Sequence, residues 1–141
     1  GSKAGLLEAI IRAGRGQVDE SMQVYERDLA PREAIAGHIR ESFRLIRENA
    51  AFWRLVHQVR HQPAVLQTAA GQIGEFQQHV AERLTAQFRL LGAARPELEA
   101  LLLFALIDGV VTQYLLQSEQ YPLEAMEHFL IHKYEHGNFL D

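Results

Sequence analysis

The stretch LLLFALIDGVVTQYLL, from Leu101 to Leu116, decides how the chain is read, because a helix formed from it is apolar on nearly every side. An amphipathic helix buries one stripe and wets the other, whereas one apolar all round must be covered by protein or by lipid. Lipid is the poorer cover. The stretch falls short of the roughly 20 apolar residues that a spanning helix needs. Glu97 and Glu99 flank it on one side and the polar run from Gln117 to Gln120 on the other. Asp108 would sit at mid-bilayer, at a cost of about 2.5–3.5 kcal/mol on insertion scales. No membrane span is expected, so the rest of the chain, or a second protein surface, has to supply the cover.

The chain has 141 residues, of which 48% are hydrophobic, enough to build one core, so residues 1–141 are expected to form a single domain. The net charge of -4 argues against direct contact with nucleic-acid backbones by these residues. With no cysteine there are no disulfides, thiolate metal sites or cysteine nucleophile, which fits a reducing, cytoplasmic setting. The segment GSKAGLLEAIIRAG carries Glu8 within its apolar part and lacks a small-residue cleavage pattern, so it is not read as a signal peptide.

Apolar stripes of period 3.6 recur almost end to end, and no segment alternates with period two for long enough to make a strand. The expectation is an all-α bundle of six helices joined by short turns. The first starts near Lys3 and places Leu7, Ile11, Val18, Met22, Tyr25 and Leu29 on one face, with Gly14 and Gly16 as points where it can bend. Pro31 opens the second, whose buried stripe is Ile35, Ile39, Phe43 and Ile46 and whose end lies around Asn49. In the third, from Ala50 to Gln62, Phe52, Leu55, Val56 and Val59 make an apolar face while Trp53, His57 and Arg60 line an adjoining one. Pro63 opens the longest helix, with Leu66, Ala69, Ala70, Ile73, Phe76, Val80, Leu84, Phe88 and Leu91 as its stripe and Gln77 and Gln87 as polar intruders. Gly92 stops it. Pro96 begins the fifth, which holds the opening stretch, and the sixth runs from Pro122 to about His136.

Enzyme signatures are missing. There is no H-E-x-x-H, no pair of E-x-x-H motifs, no G-x-x-x-x-G-K and no G-x-S-x-G, so no catalytic residues or cofactor are assigned. His128, His132 and His136 stand four apart, one turn beyond Glu124, and imidazoles at that spacing can hold zinc or copper. That face also carries Glu135 and lies opposite the apolar stripe of Leu123, Met126, Phe129 and Leu130, which reads as a solvated face rather than a metal site.

Asp108 shares a sector with Leu101, Phe104, Val111, Thr112 and Leu115, where an unpaired carboxylate is costly. Two roles are open: an ion pair with a neighbouring helix, through Arg60, His57 or another cation, or a polar anchor in an apolar ligand pocket. Trp53, His57, Phe76, Gln77, Phe104 and Asp108 come from three successive helices and could converge on one cavity of aromatics with a few polar groups, the usual anatomy of a small-molecule site.

Four segments together resemble the C-terminal regulatory domain of the tetracycline-repressor (TetR) family of bacterial transcription regulators. They are GSKAGLLEAI at the start, APREAIAGHIRESFRLIRENAAFWRLV from Ala30, DGVVTQYLL from Asp108, and YPLEAMEHFLIHKY from Tyr121. The first looks like the end of the family's DNA-binding domain running into its fourth helix. The resemblance implies a homodimer in which the last two helices of each subunit form a four-helix interface, with Leu102, Gly109, Leu116, Met126, Phe129 and Leu130 as candidates. It also implies a small, mostly hydrophobic effector among the middle helices. No part of the chain resembles the family's helix-turn-helix domain, so DNA would be reached only through a domain that these residues do not include. A helical scaffold with a filled core, and a metal-responsive bundle built on the histidines, are the competing readings.

Overall fold

The computed structural model describes residues 2–140, without the side chains of residues 68–70, so the expected burial of Ala69 and Ala70 lies outside what is described. Six α-helices follow one another: α1 (Lys3–Ser21), α2 (Pro31–Glu48), α3 (Ala50–Val59), α4 (Pro63–Leu90), α5 (Pro96–Leu116) and α6 (Leu123–His136). A 3₁₀ segment, Met22–Glu26, links the first two, and there is no strand among the described residues.

The ends of the helices have identifiable causes. Ser2 accepts the Gly5 N–H at 3.0 Å and caps α1, while α2, α4 and α5 each open on a proline, whose missing N–H would be unsatisfied there anyway. At the end of α4, Gly92 adopts φ +79, and the N–H groups of Gly92 and Ala93 return to the carbonyls of Arg89 and Phe88 at 2.9 and 3.0 Å. That pair of bonds makes a Schellman cap. Arginines close two other ends: Arg32 donates to the carbonyls of Tyr134 and Gly137 past the last turn of α6, and Arg54 donates to the carbonyl of Leu115 and to Ser118 at the end of α5. Each places a cation at the negative end of a helix dipole.

The first helix does not run to Leu29 as expected. It tightens into the 3₁₀ segment after Ser21, whose hydroxyl donates to the Val18 carbonyl at 2.7 Å and competes with regular continuation. Pro31 forbids helical backbone at Ala30, which sits at φ -60, ψ 151. The tighter path buries Val24 against Gly37 of α2.

The main core joins α2 to α4, α5 and α6 through Ile35, Ile39, Phe43, Leu84, Phe88 and Leu103, all nearly inaccessible. α5 runs along α4 and α6 along α2, whereas α5 and α6 touch only briefly. Arg47 of α2 and the buried Glu127 of α6 form an ion pair that fixes the second of these pairings. A smaller cluster of Leu7, Val59 and Val65 holds the first half of α1 to the α3–α4 junction.

Three stripes differ from expectation. Leu55 of α3 and Leu66 of α4 are exposed, so the beginnings of these helices stand off from the core rather than lying flat on it. In α6 the buried face is Leu123, Glu127, Leu130, Ile131 and Tyr134, while Phe129 is 59% exposed with Lys133 Nζ 4.9 Å from its ring centroid. Phe129 therefore adjoins the histidine face instead of opposing it.

Candidate functional site

Where α3 and the first half of α4 stand off, a cavity of about 530 Å³ opens between α1, α2, α3, α4 and α5. All six residues expected at a pocket, Trp53, His57, Phe76, Gln77, Phe104 and Asp108, line it. The remaining wall is largely aliphatic, including Val18, Ile46, Val56, Ile73, Val80, Ile107 and Val111. Size and texture match those of small-molecule sites, which are apolar clefts with few, placed polar groups.

Asp108 meets Arg60, one of the two partners the sequence offered. Arg60 Nη1 lies 3.2 Å from Asp108 Oδ1, and the carboxylate side chain is 47% exposed, so the pair sits at the cavity's rim rather than in its depth. Arg60 Nε also donates to His61 Nε2 at 3.2 Å. His57, one turn before His61 on the same side, places Nε2 3.2 Å from the Thr112 hydroxyl. That hydroxyl already donates its proton to the Asp108 carbonyl at 2.8 Å, so in the neutral imidazole Nε2 carries the hydrogen. Burial lowers the His57 pKa, the cationic Arg60 adds to the effect and the Asp108 carboxylate opposes it.

Three features of the lining were not singled out from the sequence. Gly14 of α1 faces the Trp53 ring, with a Cβ built there only 3.7 Å from two ring carbons, so α1 rests directly on the indole. The Trp53 indole N–H is buried and has no hydrogen-bond partner, the only such side-chain atom among the described residues. His38 of α2, 6% exposed, also lines the cavity and shares a 2.9 Å bond between Nδ1 and the Tyr25 hydroxyl. Burial holds the His38 pKa down to about 4 and pushes that of Tyr25 far up, so both are neutral. With the phenol donating to Nδ1, the hydrogen of His38 sits on Nε2. His38 was findable in principle, since it lies three residues after Ile35 and four before Ser42 on the inner side of α2.

A second surface belongs to α5 and α6. Leu98, Leu102, Leu106 and Leu116 of α5 are exposed, Leu116 at 78%, and with the half-buried Gly109 they lie along one side of the helix, shared with the exposed Gln113. Nothing lies within 4 Å of where a Gly109 Cβ would stand. α5 is long and apolar enough to cross a membrane by composition alone, but its other face packs on α4 and the core through Ala100, Leu103 and Val110. Phe129 and the half-buried Met126 of α6 are the remaining accessible members of the expected interface set. Leu130 is a correction to that set: at 5% exposed it packs in its own core, because the buried face of α6 is rotated toward Glu127 and Tyr134. His128, His132 and His136 are exposed, the rings of the last two 4.5 Å apart, and no group of three metal-ligating side chains occurs among the described residues.

Residues 31–134, from the first residue of α2 into the last turns of α6, match the family model described as BetI-type transcriptional repressor, C-terminal. No curated protein and no solved structure matches the chain.

Proposed function

The chain belongs to the BetI-type C-terminal domains of the tetracycline-repressor (TetR) family of transcriptional regulators, and from that premise we propose that it is the effector-sensing and dimerising part of a bacterial, cytoplasmic repressor. DNA recognition belongs to a separate domain outside these residues. The observation that carries the sensing role is the cavity of about 530 Å³, whose aliphatic and aromatic wall includes Trp53, a residue with a buried, partnerless N–H. A buried donor without a partner is costly, and an occupant that accepts from it removes the cost.

α1 is the relay in this reading. It contributes Ile11, Gly14 and Val18 to the lining, and Gly14 lies against Trp53. An occupant that displaces the indole moves α1 with it. Such a ligand shifts the population only by the difference in its affinity for the two positions of α1. A change at α1 in each of two subunits alters the distance between whatever the two helices carry. The exposed face of α5, with Phe129 and Met126 of α6, is the surface for the second subunit, used twice as a twofold interface requires.

The test uses the absence of cysteine from the chain. Leu6→Cys, at an exposed position on α1, gives one spin label per subunit, and pulsed electron-resonance spectroscopy reads the distance between the two copies. Protein as purified and protein freed of small molecules by unfolding and refolding should give different distance distributions. A single distribution in both preparations contradicts the relay.

A further inference from the structure

The polar groups around the cavity are unequal in what they still require. Ser21 and Ser42 line it, but their hydroxyls already donate to the carbonyls of Val18 and His38 at 2.7 and 2.9 Å. Oxygens holding one bond tolerate an empty lone pair, whereas a buried N–H with no acceptor is rarely left so. Among the donors, the Trp53 N–H, His38 Nε2–H and the N–H groups of Arg60 not directed at Asp108 or His61 are unanswered; the acceptors left open include His57 Nδ1 and the second oxygen of the already paired Asp108. A guanidinium has five such donors, and two are engaged.

Charge points the same way. Arg60 already neutralises Asp108, the one carboxylate in the lining, and Arg15, the other arginine there, pairs with Asp19 at 4.0 Å. A cationic occupant would have to displace Arg60 from Asp108 and would leave the Trp53 and His38 donors unanswered. An occupant with an anionic head needs neither rearrangement, and planar guanidinium matches carboxylate geometry.

Resting on the effector-cavity reading above, we propose that the natural occupant is an apolar carboxylic acid, bound as its carboxylate. Its head lies on Arg60 at the rim and its hydrocarbon part along the aliphatic and aromatic wall. Further acceptor oxygens on the molecule would answer Trp53 and His38.

Isothermal titration with three probes of equal chain length tests this: decanoate, decanol and decyltrimethylammonium, each below its micellar concentration. Decanoate is expected to bind at least about tenfold more tightly than either of the others, the usual worth of a charge-assisted hydrogen bond. Arg60→Gln should bring decanoate down to the affinity of decanol. Asp108→Asn, which frees Arg60 and removes the opposing charge, should tighten decanoate, so a folding failure of the first variant still leaves a decisive measurement. Equal or tighter binding of decanol or the quaternary ammonium overturns the acid while leaving the effector cavity intact, as does unchanged or weakened decanoate binding to Asp108→Asn. Failure of all three probes to saturate the protein overturns the effector cavity itself.

Discussion

At Gly37 the packing is tight enough to decide a substitution. A Cβ built there lies 2.6 Å from Val24 Cγ2, and Val24 is a buried, β-branched side chain with little freedom to turn away. Alanine would gain close to 1 kcal/mol of helix propensity but force an overpacking cost of about 1–3 kcal/mol, so Gly37→Ala should destabilise the fold by roughly 1 kcal/mol. Gly16, also helical but with nothing within 4 Å, should gain on the same change, and paired urea unfolding curves compare the two. His38 sets a pH dependence. Its pKa falls from 6.5 to about 4 on folding, so the unfolded chain takes up the proton first as pH falls. Its contribution is intact above pH 6.5 and lost on descending toward pH 4, on the order of 3 kcal/mol. His38→Gln should flatten that part of the profile in denaturant titrations at pH 7 and pH 4.5. The sequence showed that Asp108 needed a partner and offered Arg60, His57 or another cation, alongside a ligand, because a carboxylate among leucines and phenylalanines is costly unpaired. It could not show that the Trp53 N–H lacks an acceptor, since that depends on where five helices place their backbones.

Helix α5 owes its composition to two different faces. Ala100, Leu103 and Val110 enter the core, while Leu102 and Leu116 on the opposite side remain exposed in a single chain. A soluble monomer seldom leaves so many leucines uncovered along one helix face, and such faces mark association sites. Leu102→Glu and Leu116→Glu should each shift sedimentation equilibrium from dimer toward monomer while helix content by circular dichroism stays unchanged. A wild-type chain that sediments as a monomer at micromolar concentration would rule out the interface. The helices themselves were readable from period and prolines, and their order and most bounds follow the sequence closely. The 3₁₀ turn at Met22–Glu26 was not, because its cause is partly remote: the fit of Val24 beneath Gly37. The rotation of α6 that buries Leu130 was equally hidden, since Glu127 reads as a surface residue until Arg47 is found opposite it.

Taken as a whole molecule, the bundle is closed at one end and open at the other. α2, α4, α5 and α6 share the dense core, while α1, α3 and the start of α4 surround the cavity and meet through the small cluster of Leu7, Val59 and Val65 and the packing of Gly14 on Trp53. Elements with few buried contacts are those that open and shift most cheaply, which suits a part that must respond to an occupant. The dense half presents the exposed apolar face, so in the proposed reading sensing and dimerisation would occupy different sides of one framework. Native mass spectrometry of the chain, purified without denaturant, examines both sides together. A species of twice the single-chain mass, carrying a small-molecule adduct that is lost on unfolding, is the predicted result; a bare monomer would contradict the account.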